Sequence, residues 1–565
     1  MAAQEYKLKG VTSLALSPGD KQQVEVEGIE GGKVLLLNAA GTIQAVGSNC
    51  THYGAPLVKG VLTKSGRLTC PWHGGEIALQ LRVLRLSGLT MSNLACFNGK
   101  TGDVEDAPAL DALPVFKVTE RDGAVYITGE ESAIKSSRRK PNFQCQPAAD
   151  AQEKVVVVGG GSGTLGVVEG LREKGYKGHL TVISKEGYLA IDRPKLSKTL
   201  LTDTAKLAWR DQAWFKSGAV EWLEGEVGSI DFSDRFVITK SGDKIPYTKL
   251  VLATGGTPRR LPLEGFKDLG NIFTMRTAHD TQEIVGAIGE KGKKIVIVGS
   301  SFIGMEVAVA TSKENTVTVV GMEKVPLERV LGEQVGGGIQ KIVEGKGVNF
   351  HMSAGVERAE ASASDPSKVG AVILKDGTKL DADLVILGVG VAPATEYLKD
   401  NKAVSLEQDG SLKTDHHFSV LGLKDVYAIG DISTFPYYGP GGGGKHTRIE
   451  HWCVAQNAGR SAAAHMVDPS FTTKQFIPVF WSALGSQLRY CGNTAGGWDD
   501  VVVDGDVAAA NFVAYYTKGD TVVAMASMGR DPAMVQSADL MRTGSMPSKS
   551  QLQQNPDVMA VGVPA

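Results

Sequence analysis

The sequence predicts a multidomain protein: an all-β N-terminal domain, two α/β domains built on parallel sheets, and a C-terminal α+β domain. Three observations carry this expectation. Residues 1–132 alternate short apolar runs with turn residues, as in Lys33-Val-Leu-Leu-Leu-Asn38 and Ala124-Val-Tyr-Ile-Thr128, which is the texture of antiparallel strands. From Lys154 the texture changes to apolar strand, glycine loop and helix, twice over. Near residue 470 it returns to strand-like runs such as Phe512-Val-Ala-Tyr-Tyr516 and Val522-Val-Ala-Met525.

At 565 residues the chain has room for about four domains. The expected boundaries are 1–132 for the first domain and 133–153 for a linker. The first α/β domain falls in two parts, 154–279 and 401–469, with the second α/β domain at 280–400 and the last domain at 470–565. The linker is polar, and its basic run Lys135-Ser-Ser-Arg-Arg-Lys140 reads as solvated rather than as a binding patch.

Composition narrows the classes. Hydrophobic residues make up 42% and charged residues 22% of the chain, the balance of a globular rather than a disordered protein. A net charge of −2 gives no field for nucleic acid or an anionic membrane, and neither is expected as a partner. Six cysteines in so long a chain do not make a disulfide framework, which points to a reducing compartment. No apolar run reaches the roughly 18 residues of a spanning helix. The start, Met1-Ala-Ala-Gln-Glu-Tyr-Lys7, lacks the apolar core of a signal peptide. A cytoplasmic protein is expected, with mitochondria left open.

Two short cysteine–histidine boxes mark the N-terminal domain: Cys50-Thr-His52 and Cys70-Pro-Trp-His73. Two thiolates and two imidazoles on two loops suit a Rieske [2Fe–2S] cluster. Cys50 and Cys70 would hold one iron, and His52 and His73 the other. Zinc fingers pair C-x(2–4)-C with H-x(3–5)-H, a pattern these mixed boxes fit poorly. A cluster that carries single electrons needs a source for them.

The first α/β domain opens with Lys154-Val-Val-Val-Val-Gly159-Gly160-Gly161-Ser162-Gly163-Thr164, a strand running into a glycine loop and a helix. Such a Rossmann-like unit binds a dinucleotide. Gly159 permits the turn, and Gly161 lets backbone N–H groups reach a pyrophosphate at the helix N-terminus, with Ser162 and Gly163 in the same cradle. The third fingerprint position is Thr164, which should slightly loosen helix–strand packing. After the next strand, Leu180-Thr-Val-Ile183, Glu186 is the acid expected at a ribose.

The second α/β domain opens with Lys294-Ile-Val-Ile-Val-Gly299-Ser-Ser301-Phe-Ile-Gly304-Met-Glu306. Ser301 in place of the middle glycine should narrow the approach to phosphate. The strand Val317-Thr-Val-Val320 ends at Gly321 where an acid would meet the ribose, and Glu323 follows two residues on. A carboxylate there would repel a 2′-phosphate, so its displacement leaves NADH and NADPH both open. Two such loops suit a flavoprotein that holds FAD in one and NAD(P)H in the other.

Three further segments keep the same order. Leu252-Ala253-Thr254-Gly255-Gly256 and Leu387-Gly-Val-Gly390 each lead from a strand into a glycine turn. Val426-Tyr-Ala-Ile-Gly430-Asp431 ends a strand with a carboxylate placed to accept from a ribityl hydroxyl.

With these motifs and the box Asp192-Arg-Pro-Lys-Leu-Ser-Lys198, the chain from about residue 5 to 545 resembles the Rieske-bearing, apoptosis-inducing-factor-like pyridine-nucleotide oxidoreductases. The resemblance implies that Arg193 and Lys198 lie beside FAD. It implies that Glu306 approaches the flavin N5 edge and pairs with Lys198, these two being the catalytic candidates, and that Trp452 and Trp481 pack near the isoalloxazine. It also implies transfer from NAD(P)H through FAD and the cluster to an outside one-electron acceptor, and it allows a homodimer. Two other readings are a slow-turnover redox signalling protein of the same group and a nitrite-reductase-like electron-transfer component.

One departure is marked. In the family the C-P-W-H-G loop runs almost directly into A-x-F-x-x-x-T-G. Here residues 75–94 intervene before Ala95-Cys-Phe-Asn-Gly-Lys-Thr-Gly102. This block reads either as a translated intron or as a surface excursion that docks an electron partner.

Overall fold

The computed structural model describes residues 3–71, 95–107, 109–139, 143–147, 151–473 and 477–562. His73 and the block 75–94 lie outside the described residues.

Two antiparallel sheets form the N-terminal domain. Among the described residues, six strands run in the spatial order Gln4–Lys7, Ala124–Gly129, Val115–Arg121, Thr42–Gly47, Lys33–Ala39 and Lys21–Glu25. A smaller sheet joins Val61–Leu62, Arg67–Thr69, Cys96–Asn98 and Val104–Asp106. Val34 to Leu37 are all buried, because this strand is covered on both faces. Cys50 follows the strand Thr42–Gly47 in a tight turn, with the Gly54 N–H donating to the Cys50 carbonyl at 2.9 Å. Cys70 follows Arg67–Thr69, and its N–H donates to the Ala95 carbonyl at 2.9 Å.

The two α/β domains repeat one plan. In the first, parallel strands lie in the order Val220–Glu224, His179–Ser184, Lys154–Val158, Lys249–Leu252 and Val426–Ala428. In the second the order is Val348–His351, Thr316–Val320, Lys294–Val298, Leu384–Leu387 and Ile272–Thr274. In both, the chain reverses its direction across the sheet beside the strand that enters the glycine loop. That switch point is where a parallel sheet opens a crevice for ligand. The C-terminal domain is an antiparallel sheet in the order Val479–Ala483, Gln487–Gly492, Thr521–Met528, Asn511–Lys518 and Asp500–Asp506, with the helix Ala533–Arg542 against it.

Small residues set the closest helix crossing. The first dinucleotide helix, Ser162–Glu173, packs on the long helix Trp452–Val467. A Cβ on Gly166 would sit 2.1 Å from the Gln456 carbonyl oxygen, and one on Gly459 would sit 2.2 Å from the Gly163 carbonyl oxygen. Thr164 does not loosen this region as the sequence suggested. It is fully buried, and its hydroxyl donates to the Gly159 carbonyl at 2.6 Å, tying the helix to the loop it follows.

The basic side chains Lys135, Arg138 and Arg139 are exposed, as the solvated reading expected, while other described residues of the stretch lie against the protein. The stretch contains a short helix, Glu131–Ser136, and Phe143 stacks on Trp214 with centroids 3.5 Å apart. Arg138 reaches Asp111, and Arg139 reaches the Leu113 and Thr101 carbonyls. These arginines find buried or backbone acceptors within reach, which their sequence neighbours do not reveal.

A buried ion network fastens the N-terminal domain. Glu169 is fully buried on the first dinucleotide helix and pairs with Arg210 at 3.1 Å and Arg460 at 2.8 Å. Arg210 also holds Asp111 at 2.9 Å and the Leu110 carbonyl at 2.6 Å. No helix among the described residues is long and apolar enough to cross a membrane.

Glu169→Gln is expected to destabilise the protein by about 1–3 kcal/mol, because two half-buried guanidiniums each lose one partner while Arg210 keeps Asp111 and Arg460 keeps Glu173. Chemical denaturation measures this, and limited proteolysis between residues 133 and 153 should quicken as the N-terminal domain loosens. A loss within the range of ordinary surface substitutions would contradict it.

Candidate active site

One cavity of about 1170 Å³ spans the carboxyl ends of both parallel sheets. It reaches from the first glycine loop, Gly159 to Gly163, to the second, where Ser301 and Phe302 form its wall.

The first loop fits a phosphate. Gly159 has φ +115°, and a Cβ there would lie 2.2 Å from the Ala253 carbonyl oxygen, so only glycine makes this turn. Gly161 precedes the helix with no side-chain cap, and a Cβ added to it would meet nothing within 4 Å. Uncapped N–H groups at a helix N-terminus, facing open space, form an anion cradle. The second loop is closed further. Gly299 has φ +104°, and Ser301 caps the helix Phe302–Ser312, its hydroxyl accepting from the Gly304 N–H at 3.4 Å. Thr164, Gly299 and Gly304 support the loops from outside the cavity lining. Gly304 is needed for close packing, since a Cβ there would lie 2.4 Å from the Gly299 carbonyl oxygen.

The charged groups lining the cavity are paired. Arg193 donates to both oxygens of Glu186 at 2.9 and 3.0 Å. Burial pushes the Glu186 carboxyl up, but the Arg193 charge and hydrogen bond outweigh it and hold the group below its ordinary value. Asp431 accepts from Arg276 at 2.7 Å. Arg276 crosses above Gly255, where a Cβ would lie 2.8 Å from its Nη2, which accounts for the glycine. Ala253, Thr254 and Gly390 line the same wall, with the Thr254 hydroxyl spent on the Ala394 carbonyl at 2.8 Å.

Glu306 is 4% exposed and receives three donors: Lys198 at 2.8 Å, Ser197 at 2.6 Å and Ser482 at 2.6 Å. Lys198 also lies 5.0 Å above the Trp481 ring. Glu306, Lys198, Trp481, Trp452 and His451 share one wall of the cavity. Trp452 Nε1 and His451 Nδ1 are buried with no hydrogen-bond partner among the described residues, donors and acceptors of the kind a flavin edge would use. Glu323 is not part of the lining. Its carboxylate sits between the Ser300 hydroxyl at 3.5 Å and Arg329 at 3.1 Å, behind the second loop.

The described candidates for cluster ligands, Cys50, Cys70 and His52, lie behind this wall. Cys50 and Cys70 are buried and in hydrogen-bond contact with each other. Burial pushes the Cys50 thiol up, but the Cys70 hydrogen bond, the His52 and Tyr53 amides and the Arg138 charge outweigh it and lower it overall. That favours the thiolate that binds metal. His52 is 6% exposed. Among the described residues no three donors converge on a single ion. A two-iron cluster does not ask them to, since thiolates and imidazoles hold different irons. The donor set therefore fits a [2Fe–2S] group through Cys50, Cys70 and His52, while His73 lies outside the described residues.

Several residues of the site carried no sequence signal. Tyr53 donates to Asp192, the first residue of the Asp192–Lys198 box, and Lys195 pairs with Asp192 at 3.2 Å. Arg276, Arg448 and Trp209 are likewise isolated in sequence, and only the fold brings them to the cavity or its back wall.

Residues 153–459 match the pyridine nucleotide-disulphide oxidoreductase family, residues 5–86 the Rieske [2Fe–2S] domain, and residues 479–559 the reductase C-terminal domain. The chain is similar to apoptosis-inducing factor 3 of Homo sapiens, 36% identical over 94% of this chain and 83% of the relative. Putidaredoxin reductase CamA of Pseudomonas putida is 30% identical over 69% of this chain and 92% of its own length. Among solved structures, the ferredoxin reductase for the CYP199A2 system of Rhodopseudomonas palustris superposes with a TM-score of 0.67 at 28% identity, covering 73% of this chain and all of that one. The covalent putidaredoxin reductase–putidaredoxin complex gives the same TM-score and identity over 73% of this chain and 99% of that one.

The enclosed His451 sets a pH dependence. Burial pushes its imidazole down from 6.5 to about 4. Between these values the unfolded chain binds more protons than the folded one, so stability rises with pH across that window and falls on acidification through it. Denaturation midpoints at about pH 7 and about pH 5 should differ more for the native sequence than for His451→Gln. Equal acid losses in the two proteins would exclude His451 as a source.

Proposed function

This chain belongs to the pyridine nucleotide-disulphide oxidoreductase family, with a Rieske domain joined at its N-terminus, and from that premise we propose how its residues divide the work of an FAD-dependent NAD(P)H oxidoreductase. The cofactors of these domains are FAD, NAD(P)H and a [2Fe–2S] cluster. When bound, FAD takes hydride from the nicotinamide and releases electrons singly to the cluster, while the protein positions the groups and tunes them. We divide the chain into an iron–sulfur domain over 1–132, an FAD domain over 154–279 and 401–469, an NAD(P)H domain over 280–400 and a C-terminal domain over 470–565.

Gly159, Gly161, Ser162 and Gly163 cradle the FAD pyrophosphate. Glu186, oriented by Arg193, accepts from the adenosine ribose, and Asp431, oriented by Arg276, accepts from the ribityl chain. Ser301 and the N-terminus of its helix face the nicotinamide dinucleotide, while Glu323, held by Arg329 behind the loop, stays off the cavity lining. Glu306 and Lys198 form a neutral pair at the flavin edge and fix the position of the hydride acceptor. Cys50, Cys70, His52 and His73 hold the cluster, and the final acceptor is an outside one-electron carrier.

The observation that carries this reading is a single cavity reaching both glycine loops, with Glu306–Lys198 on its wall and the Cys50–His52 loop behind it. An anaerobic NADH titration followed by flavin absorbance and low-temperature EPR tests it. Flavin bleaching with a Rieske-type signal is expected, and bleaching with no cluster signal would remove the cluster from the path.

Glu306→Gln keeps the carboxamide within reach of Ser197 and Ser482 but removes the charge that Lys198 neutralises. It is expected to slow stopped-flow flavin reduction by NADH while FAD stays bound, an unaltered rate being the refuting result. His52→Ala should erase the cluster signal and spare flavin reduction.

A further inference from the structure

Resting on the reading above, we propose that Trp209 is the bridge by which electrons cross from the flavin cavity to the cluster: its indole lies between Trp452 on the cavity wall and the ligand His52. Trp209 and Trp452 have ring centroids 5.4 Å apart, and Trp209 and His52 have centroids 5.3 Å apart. Tyr53 closes the group, 3.6 Å from His52 and 5.7 Å from Trp209. The rings form an unbroken aromatic column across the boundary between two domains.

Packing alone does not account for the Trp209 indole. Its Nε1 is buried without a hydrogen-bond partner among the described residues, and unlike Trp452 it does not line the cavity. A buried, unpaired donor is a cost that a leucine would avoid while filling the same gap. What leucine lacks is a π-system. Electron tunnelling weakens steeply with each gap between atoms, and neighbouring rings tilted against one another at these centroid distances keep those gaps small.

The backbone holds the bridge rigidly. The Trp209 N–H donates to the Ala190 carbonyl at 3.1 Å, next to a bridge pairing Ile191 with Ala208. Lys195 sits 5.4 Å over the Tyr53 ring and 5.9 Å over the Trp209 ring. A cation there disfavours withdrawing an electron from either ring, so Trp209 conducts without being oxidised. Two single-electron transits clear the two electrons of each NAD(P)H, with the outside one-electron carrier taking the first electron from the cluster before the second arrives. Each transit oxidises the reduced flavin by one electron and reduces a ferric ion of the cluster by one, and no bond to Trp209 forms or breaks.

Trp209→Leu and Trp209→Phe in the full-length holoprotein test this. Stopped-flow absorbance separates flavin reduction by NADH from the later arrival of electrons at the cluster, and EPR reports the cluster's g-values and occupancy. The expected result is that Trp209→Leu slows the second step by roughly an order of magnitude, with the first step and the EPR signal unchanged, while Trp209→Phe keeps most of the second rate. An unchanged second step in Trp209→Leu overturns the proposal. So does an altered or lost EPR signal in both variants, because Trp209 would then only position His52. Failure of the native protein to reduce its cluster would instead count against the underlying function.

Discussion

Glu169 is the group on which the arrangement of domains depends. A fully buried carboxylate is tolerated only with compensating charge, and burial does push it above its ordinary value against the pull of Arg460 and Arg210. Those two arginines come from different elements, one on the long helix Trp452–Val467 and one next to Trp209. Arg210 has donors left over, and it spends them on Asp111 and the Leu110 carbonyl of the iron–sulfur domain. Satisfying one carboxylate thus ties three parts of the chain into one body. A second clasp lies at the other end, where Asp539 of the C-terminal domain accepts from Thr69 at 3.1 Å and pairs with Arg67 at 3.4 Å. Both clasps flank the loops that bear Cys50 and Cys70, so the ligand loops are themselves the interface.

The cavity follows the same rule on a smaller scale. Glu186 with Arg193, Asp431 with Arg276, and Glu306 with Lys198 each put one anion beside one cation in a partly desolvated wall. Paired in this way, each carboxylate keeps a fixed direction, which is what a hydroxyl donor of a ligand requires. The cations serve the carboxylates, and the uncapped helix behind Gly161 is left open to an anion.

The sequence made the local units legible. Val155 to Val158 and Ile295 to Val298 are continuous apolar runs because both faces of their sheets are covered, and the first glycine after each, Gly159 and Gly299, is forced by positive φ and by contact with a facing carbonyl. The pairing of Glu306 with Lys198 was available only through resemblance, since their helices meet across a hundred residues. Thr164 was misread because a hydroxyl can bond back to the loop, an outcome that the fingerprint pattern does not encode. Arg138, Arg210, Arg276 and Trp209 were silent for a common reason. Each acts on a partner distant in sequence, and none belongs to a periodic or spaced motif.

Fusion alone does not explain the contact between the two redox ends. A tether raises the effective concentration of one domain at the other, but it leaves their relative orientation free. Here described residues of the tether make contacts of their own, with Phe143 stacked on Trp214 and with Arg138 and Arg139 bonded back to the iron–sulfur domain. Orientation is then set by Arg210, Asp192 and Asp539, three polar anchors around the ligand loops. A column of rings at contact distance requires that rigidity, because a shift of one atomic diameter would open a gap between His52 and Trp209. The ion pairs at this boundary accordingly matter more for geometry than for affinity: the covalent link holds the domain near, and the charges hold it in register.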